Sequence, residues 1–177
     1  MKTTERKLTR LRKYDYSQVG YYFITVCTWN RIEWFGKVED SRMILNEWGE
    51  ITQKQWVWLA EQYTYVELDA YVIMPNHFHG IISIVGNGRD RSLQKIKPLP
   101  ELVGAFKTTS SKLIHKAGFT EFRWQKSFYD HIIRNETSLL RIREYIANNS
   151  LQWHLDIENR DNNTKRKDPY YNKIFAG

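Results

Sequence analysis

A chain of 177 residues, 41% hydrophobic and 15% aromatic, can close one hydrophobic core and is too apolar to be disordered along most of its length. Its single cysteine, Cys27, excludes an internal disulfide and a Cys-rich zinc module. No apolar run is long enough to span a bilayer or follows the basic start as a signal peptide would require, so neither export nor membrane insertion is expected and a cytoplasmic protein is the reading. Lys and Arg number 27 against 20 Asp and Glu, a formal charge of +7 with a pI near 9.4, which makes a polyanion, nucleic acid first, the natural partner.

Residues 1–13 carry Arg6, Lys7, Arg10, Arg12 and Lys13 with few apolar anchors and read as a basic, flexible arm. Tyr21 to Trp29 is dense in aromatic and β-branched residues, the composition of a well-buried strand. From Ser41, a candidate N-cap, to about Gln62, the residues Ile44, Leu45, Trp48, Ile51, Trp56 and Leu59 recur at roughly helical spacing and predict one long amphipathic helix. Tyr65 to Met74 alternates, Pro75-Asn76 punctuates, and His77 to Val85 resumes, so an antiparallel pair of strands is expected.

A glycine- and arginine-containing loop over 86–91 leads to a second helix, Pro98 to about Lys116, closed by Gly118. Phe122 to Ile133 reads as strand, and a final helix is expected from about Glu136 to Asn149 with Asn135 as N-cap. After Trp153 the chain turns polar. The expected division is a 1–13 arm, a 14–153 domain and a polar, mobile 154–177 tail. The order predicts an α+β fold: a ferredoxin-like antiparallel sheet with helices on one face and an additional C-terminal helix.

The segment Met74-Pro75-Asn76-His77-Phe78-His79-Gly80 places chemistry on a strand. Alternation points His77 and His79 to the same face, roughly 6 to 7 Å apart along the chain, where two imidazoles can meet one metal ion. Phe78, Ile82 and Ile84 point the other way, into the core. Two ligands alone do not distinguish a metal site from a pair of half-exposed strand histidines, so a third donor and a reacting group are required from elsewhere.

The last helix offers both. At roughly 100° per residue, Leu139, Ile142 and Ile146 form a buried stripe, and Tyr145 and Asn149 lie one turn apart along its edge. Packed across the open sheet face, such a helix can bring an amide oxygen and a phenol to the histidines. A hard divalent ion held by imidazoles and an amide keeps positions for phosphate oxygens and acts as a Lewis acid. A free phenol, with a pKa of roughly 10, needs that help to act as a nucleophile at neutral pH. The rival nucleophile is Tyr129, which has no amide or carboxylate paired with it as Asn149 pairs with Tyr145.

Four spaced blocks resemble the REP-associated tyrosine transposases, within the HUH group of single-strand endonucleases and insertion-sequence transposases. They are Tyr14-Asp15-Tyr16-Ser17 with Gly20-Tyr21-Tyr22-Phe23, Met74 to His79, Trp124 to His131 with Ile133-Arg134-Asn135, and Tyr145-Ile146-x-x-Asn149. The resemblance implies that His77, His79 and Asn149 ligate Mg²⁺ or Mn²⁺ and that Tyr145 forms a 5′-phosphotyrosine link. It also implies a single-stranded or hairpin DNA substrate at palindromic repeats, and it leaves a homodimer open. The family pattern usually passes from this asparagine into proline, whereas Ser150 follows here.

The arm residues Arg6, Lys7, Arg10, Arg12 and Lys13, with Arg89, Arg91, Lys95 and Lys97, are the expected phosphate contacts. Trp29, Trp34 and Tyr14 are available for stacking on unpaired bases. Two other readings stay open: a non-catalytic hairpin-binding relative that keeps the site, and a metal-independent phosphoesterase using paired histidines. The second needs another histidine motif, and His115, His131 and His154 are scattered.

Overall fold

The computed structural model describes residues 14–86, 95–160 and 174. In chain order the elements are β1 (Gly20–Cys27), β2 (Gly36–Glu39), β3 (Arg42–Leu45), α1 (Glu47–Gln62), β4 (Val66–Met74), β5 (His77–Ile84), α2 (Leu99–Lys116), β6 (Tyr129–Ile133) and α3 (Glu136–Asn148). Four strands form one antiparallel sheet in the order β4-β5-β1-β6, and β2 and β3 form a separate hairpin. The chain is therefore an α+β fold with a four-stranded antiparallel sheet.

Strand alternation divides the interior in two. Tyr22, Ile24 and Val26 of β1 and Phe78, Ile82 and Ile84 of β5 face Trp56 and Leu59 of α1 and Phe106 of α2 in the larger core. Gly80 makes that close approach possible, because a β-carbon there would lie 2.8 Å from the Trp56 ring and 2.7 Å from the Phe78 ring. Phe23 and Ile81 face the other way, where they meet Leu139, Ile142, Tyr145 and Ile146 of α3. Thus α1 and α2 cover one face and α3 covers the opposite one, with Ile174 joining the second cluster. Asp69, at the irregularity between Leu68 and Tyr71, receives two hydrogen bonds from the Arg143 guanidinium, at 2.9 and 2.6 Å, pinning α3 to the edge strand β4.

Two sequence expectations are corrected. The helix predicted from Ser41 begins only at Glu47, and its cap is Asn46, whose side chain accepts from the Trp48 and Gly49 amides; such a cap is worth about 1 kcal/mol. Asp40 and Ser41 instead form the tip of the β2-β3 hairpin, with φ of 48° and 60°. Ile44 and Leu45 thus belong to a strand whose spacing mimicked the start of the helix. The strand predicted over Phe122 to Ile133 is confined to Tyr129–Ile133. Residues before it form an irregular strap with one bridge, Thr28 to Trp124, whose Phe122 and Trp124 rings pack around Phe35. Their aromatic composition reflects that core packing.

No helix of the described residues is long and apolar enough to cross a membrane.

Candidate active site

Near the β5 end of the β4-β5 turn, the sheet face under α3 turns from apolar to polar. His77 and His79 share that face as alternation requires, with ring centroids 4.4 Å apart. Both are fully buried, at 0% and 1% exposure, beneath α3 and the chain that follows it. Burial lowers the His77 pKa to about 3, with the Arg31 charge adding to the effect and Asn149 opposing it. His79 is held well below the ordinary histidine value, by burial first and then by His77. Both rings are therefore neutral at physiological pH, the form in which imidazole binds metal.

Each ring is held through its Nδ1. Asn76, completely buried, donates its side-chain N–H groups to the backbone carbonyls of Arg31, at 3.1 Å, and Glu158, at 2.9 Å. Its oxygen is left to accept from His77 Nδ1, at 2.8 Å, which fixes the proton on Nδ1 and leaves Nε2 as a bare lone pair. His79 Nδ1 lies 2.8 Å from the Thr25 hydroxyl, and His79 Nε2 lies 3.1 Å from the Tyr145 hydroxyl.

Helix α3 delivers the rest. Asn135 caps it by accepting from the Ser138 amide, and Leu139, Ile142 and Ile146 form its buried stripe. Tyr145 is 7% exposed, with its ring 5.2 Å from that of His79 and 6.2 Å from that of Phe23. Asn149, one turn on and 3% exposed, donates its side-chain N–H to Asp156 at 3.0 Å. His77, His79, Tyr145 and Asn149 are thus brought together within one chain.

Asp156 had no signal in the sequence, since it sits in a polar segment beyond the last helix. The turn after Trp153–Leu155 folds that segment back over the histidines, with the Trp153 ring 5.9 Å from His77 and Glu158 ion-paired to Arg31. An Asp156 oxygen lies 3.8 Å from His77 Nε2. Ligand atoms of His77, His79 and Asp156 all fall within 4.8 Å of one another, a set able to hold a metal ion.

His77 Nε2 and Asn149 Oδ1 are buried without a hydrogen-bond partner. Leaving such atoms unsatisfied costs about 1 to 3 kcal/mol each, and a cation between them would remove that cost. Two neutral imidazoles, an amide oxygen and a carboxylate suit a hard or borderline divalent ion. Cys27 stands opposite His77 in register, but burial, with Glu158 nearby, pushes its thiol pKa up, so it offers no thiolate.

Tyr129 packs edge-on to Phe23 in the second core. Lys95 and Lys97 are exposed, and Lys97 lies over the Tyr63 ring while its amide donates to Tyr65. Tyr65 precedes Val66, which pairs with Ile84 at the end of β5 remote from His77, so this lysine is not at the histidine site. Arg6, Lys7, Arg10, Arg12, Lys13, Arg89 and Arg91 lie outside the described residues.

A protein of Haemophilus influenzae without an assigned function is 37% identical over 165 residues, covering 85% of this chain and 91% of that one. A solved structure of a REP-associated tyrosine transposase bound to a REP hairpin shares the fold. It superposes with a TM-score of 0.57 at 20% identity, over 82% of this chain and 74% of that one. The family model described as "Transposase IS200 like" matches residues 17–149, from before β1 to the asparagine that ends α3. Spanning most of the chain and every sequence-predicted member of the histidine-tyrosine-asparagine cluster, that match places the protein in the IS200-like family of HUH tyrosine transposases.

Proposed function

We propose that the protein cleaves and rejoins single-stranded DNA through a 5′-phosphotyrosine intermediate, with Tyr145 as nucleophile. Its substrate would be DNA carrying hairpin-forming palindromic repeats. The observation that carries this reading is the convergence of Tyr145, His77, His79 and Asn149 in one buried cluster containing two unsatisfied ligand atoms. The strand order β4-β5-β1-β6 supports a ferredoxin-like reading of the sheet, with α3 as the added tyrosine helix. The hairpin bound by the structurally similar transposase supports the choice of substrate.

His77, His79 and Asn149 would hold Mg²⁺ or Mn²⁺, with Asp156 as an additional oxygen donor. The ion's contribution is Lewis-acid polarisation of the scissile phosphate. Tyr145 Oη forms a bond to phosphorus as the bond to the 3′ oxygen breaks. The phenol loses one proton and the departing 3′ hydroxyl gains one, so none is consumed. The phosphodiester energy is kept in the tyrosyl ester, and attack by a later 3′ hydroxyl reverses the step and joins strands without ATP. Packing of Tyr145 against Phe23 and His79 restricts the phenol to one approach. For a phosphate to reach it, the cover made by residues 153–160 has to lift. With the nucleophile already beside the histidines of its own chain, a monomer suffices for cleavage.

The test is incubation with a tailed hairpin oligonucleotide and Mg²⁺. A protein-DNA adduct that survives SDS, absent with EDTA and absent in Tyr145→Phe, is the expected result. A parent protein that binds the hairpin but forms no adduct would instead establish a non-catalytic hairpin-binding relative.

A further inference from the structure

The chain turns sharply just after β1. Asn30 and Arg31 both take left-handed backbone conformations, with φ of 52° and 53°. Asparagine tolerates that region, but a long side chain such as arginine enters it only where surrounding contacts impose it. Those contacts come from the site. The Arg31 amide donates to the Thr28 carbonyl at 3.1 Å, and the Arg31 carbonyl accepts from the Asn76 side chain at 3.1 Å. Asn76 in turn accepts from His77 Nδ1. One buried side chain thus fixes both the His77 ring and the Arg31 backbone, so the guanidinium is carried on the same rigid unit as the histidine.

An anionic oxygen already occupies the space beside that guanidinium. The Arg31 Nε donates to a Glu158 carboxylate oxygen, and the same oxygen accepts from the Cys27 thiol at 3.5 Å. Cys27 is the register partner of His77 across β1 and β5, which sets this oxygen at the histidine end of the sheet. The Arg31 charge also reaches His77, where it helps to disfavour the protonated ring. Glu158 belongs to the cover that has to lift before a phosphate can reach Tyr145. Lifting it takes the carboxylate away, while the contacts to Thr28 and Asn76 keep Arg31 in place. The guanidinium then stands at the site without its counter-charge, and its planar fork of donors matches the oxygens of a phosphate.

We propose that Arg31 is a catalytic residue: once the cover lifts, it exchanges the Glu158 carboxylate for the non-bridging oxygens of the scissile phosphate. There it stabilises their charge while Tyr145 Oη bonds to phosphorus and the bond to the 3′ oxygen breaks. The guanidinium neither gives nor takes a proton in this step. A donor fixed in advance where charge develops favours the transition state over the bound substrate. The proposal rests on the strand-transfer reading for its reaction, and on the position of the Glu158 carboxylate for where the phosphate oxygens go.

The ion pair can be broken from either end, which separates a catalytic arginine from one that merely latches the cover. A latch predicts that Arg31→Ala and Glu158→Gln both free the site; a catalytic role predicts that only Glu158→Gln does. The rate of SDS-resistant adduct formation is measured at saturating tailed hairpin with Mn²⁺, and hairpin affinity by fluorescence anisotropy. The Arg31 side chain is 46% exposed, so truncation leaves the core intact, and retained hairpin affinity checks the fold. Arg31→Ala should slow the adduct step about 100-fold or more. Its hairpin affinity should fall by less than about fivefold, one phosphate contact among many being lost. Arg31→Lys keeps the charge without the planar fork and should fall between. Glu158→Gln should match or exceed the parent rate. On a hairpin whose scissile phosphate is an uncharged methylphosphonate, the gap between parent and Arg31→Ala should largely close. Arg31→Ala reacting at the parent rate or faster, Glu158→Gln losing rate as Arg31→Ala does, or a gap undiminished on the methylphosphonate would overturn the proposal alone. A parent protein that forms no adduct would instead sink the strand-transfer reading, and the role of Arg31 with it.

Discussion

The Tyr145 hydroxyl lies 3.1 Å from His79 Nε2, so the phenol stands where an ion bound to that nitrogen would have to sit. The hydrogen bond and such an ion would compete for one atom. Loading the site through Nε2 would therefore release the phenol and couple metal binding to freeing of the proposed nucleophile.

That competition has a measurable sign. Removing the hydroxyl removes the competitor, so Tyr145→Phe should bind Mn²⁺ more tightly than the parent by up to about fivefold, the equivalent of one hydrogen bond of about 1 kcal/mol. Calorimetric titration of the two proteins reads it. Weaker binding by the variant would show that the phenol helps hold the ion.

Asn76 fixes the His77 proton on Nδ1 by using both of its own N–H groups on backbone carbonyls. Asn76→Ala frees the ring to adopt the other tautomer, and divalent-metal affinity should drop about 10- to 100-fold, as for other residues that orient a ligand from behind. Long-range ¹H–¹⁵N correlation spectra of the metal-free parent should show His77 as the Nδ1–H form. An Nε2–H signal would remove the basis for the assignment.

Asp156 enters the site from beyond the last helix and also holds Asn149 in place. Asp156→Ala should lower Mn²⁺ affinity about tenfold, since it deletes one donor and loosens another. Thermal unfolding gives a second readout. Mn²⁺ at a hundredfold excess over its Kd stabilises the parent by about 2.7 kcal/mol, and much less of this should remain in the variant at the same concentration.

The buried histidines make the metal-free protein acid-sensitive. His77 has a folded pKa of about 3 against an ordinary 6.5, so between those values the unfolded chain binds the additional proton. Stability is then full above about pH 6.5 and falls as pH drops toward 3, by up to about 1.4 kcal/mol per pH unit from this residue alone. Urea unfolding across that range should show the slope, and His77→Gln should flatten it.

The Asp69–Arg143 pair docks the tyrosine helix on its own sheet. The Arg143 side chain is 41% exposed, so the pair is worth no more than about 1 kcal/mol after solvent screening. Arg143→Asp should destabilise by about that amount or somewhat more, and combining it with Asp69→Arg should recover most of the loss. Failure of the double variant to recover would show that the backbone irregularity, more than the charge pair, seats α3.

Much of the site was written in short stretches of sequence. The two-residue alternation of β5 put His77 and His79 on one face, and the helical repeat of α3 put Tyr145 and Asn149 on one edge beside a buried stripe. Such periodicities are set by local backbone geometry and can be read within a dozen residues. The β2-β3 hairpin was hidden because its tip, Asp40-Ser41, takes positive φ without glycine, leaving Ile44 and Leu45 to extend the apparent helical pattern. Only the tertiary structure decided that α3 covers the histidine face within the same chain, that Asn76 sets a ring tautomer through the carbonyls of Arg31 and Glu158, and that Asp156 returns to the histidine cluster. Those contacts join residues 45 to 82 positions apart. Their formation depends on which surfaces the fold buries against each other, and no local pattern encodes that.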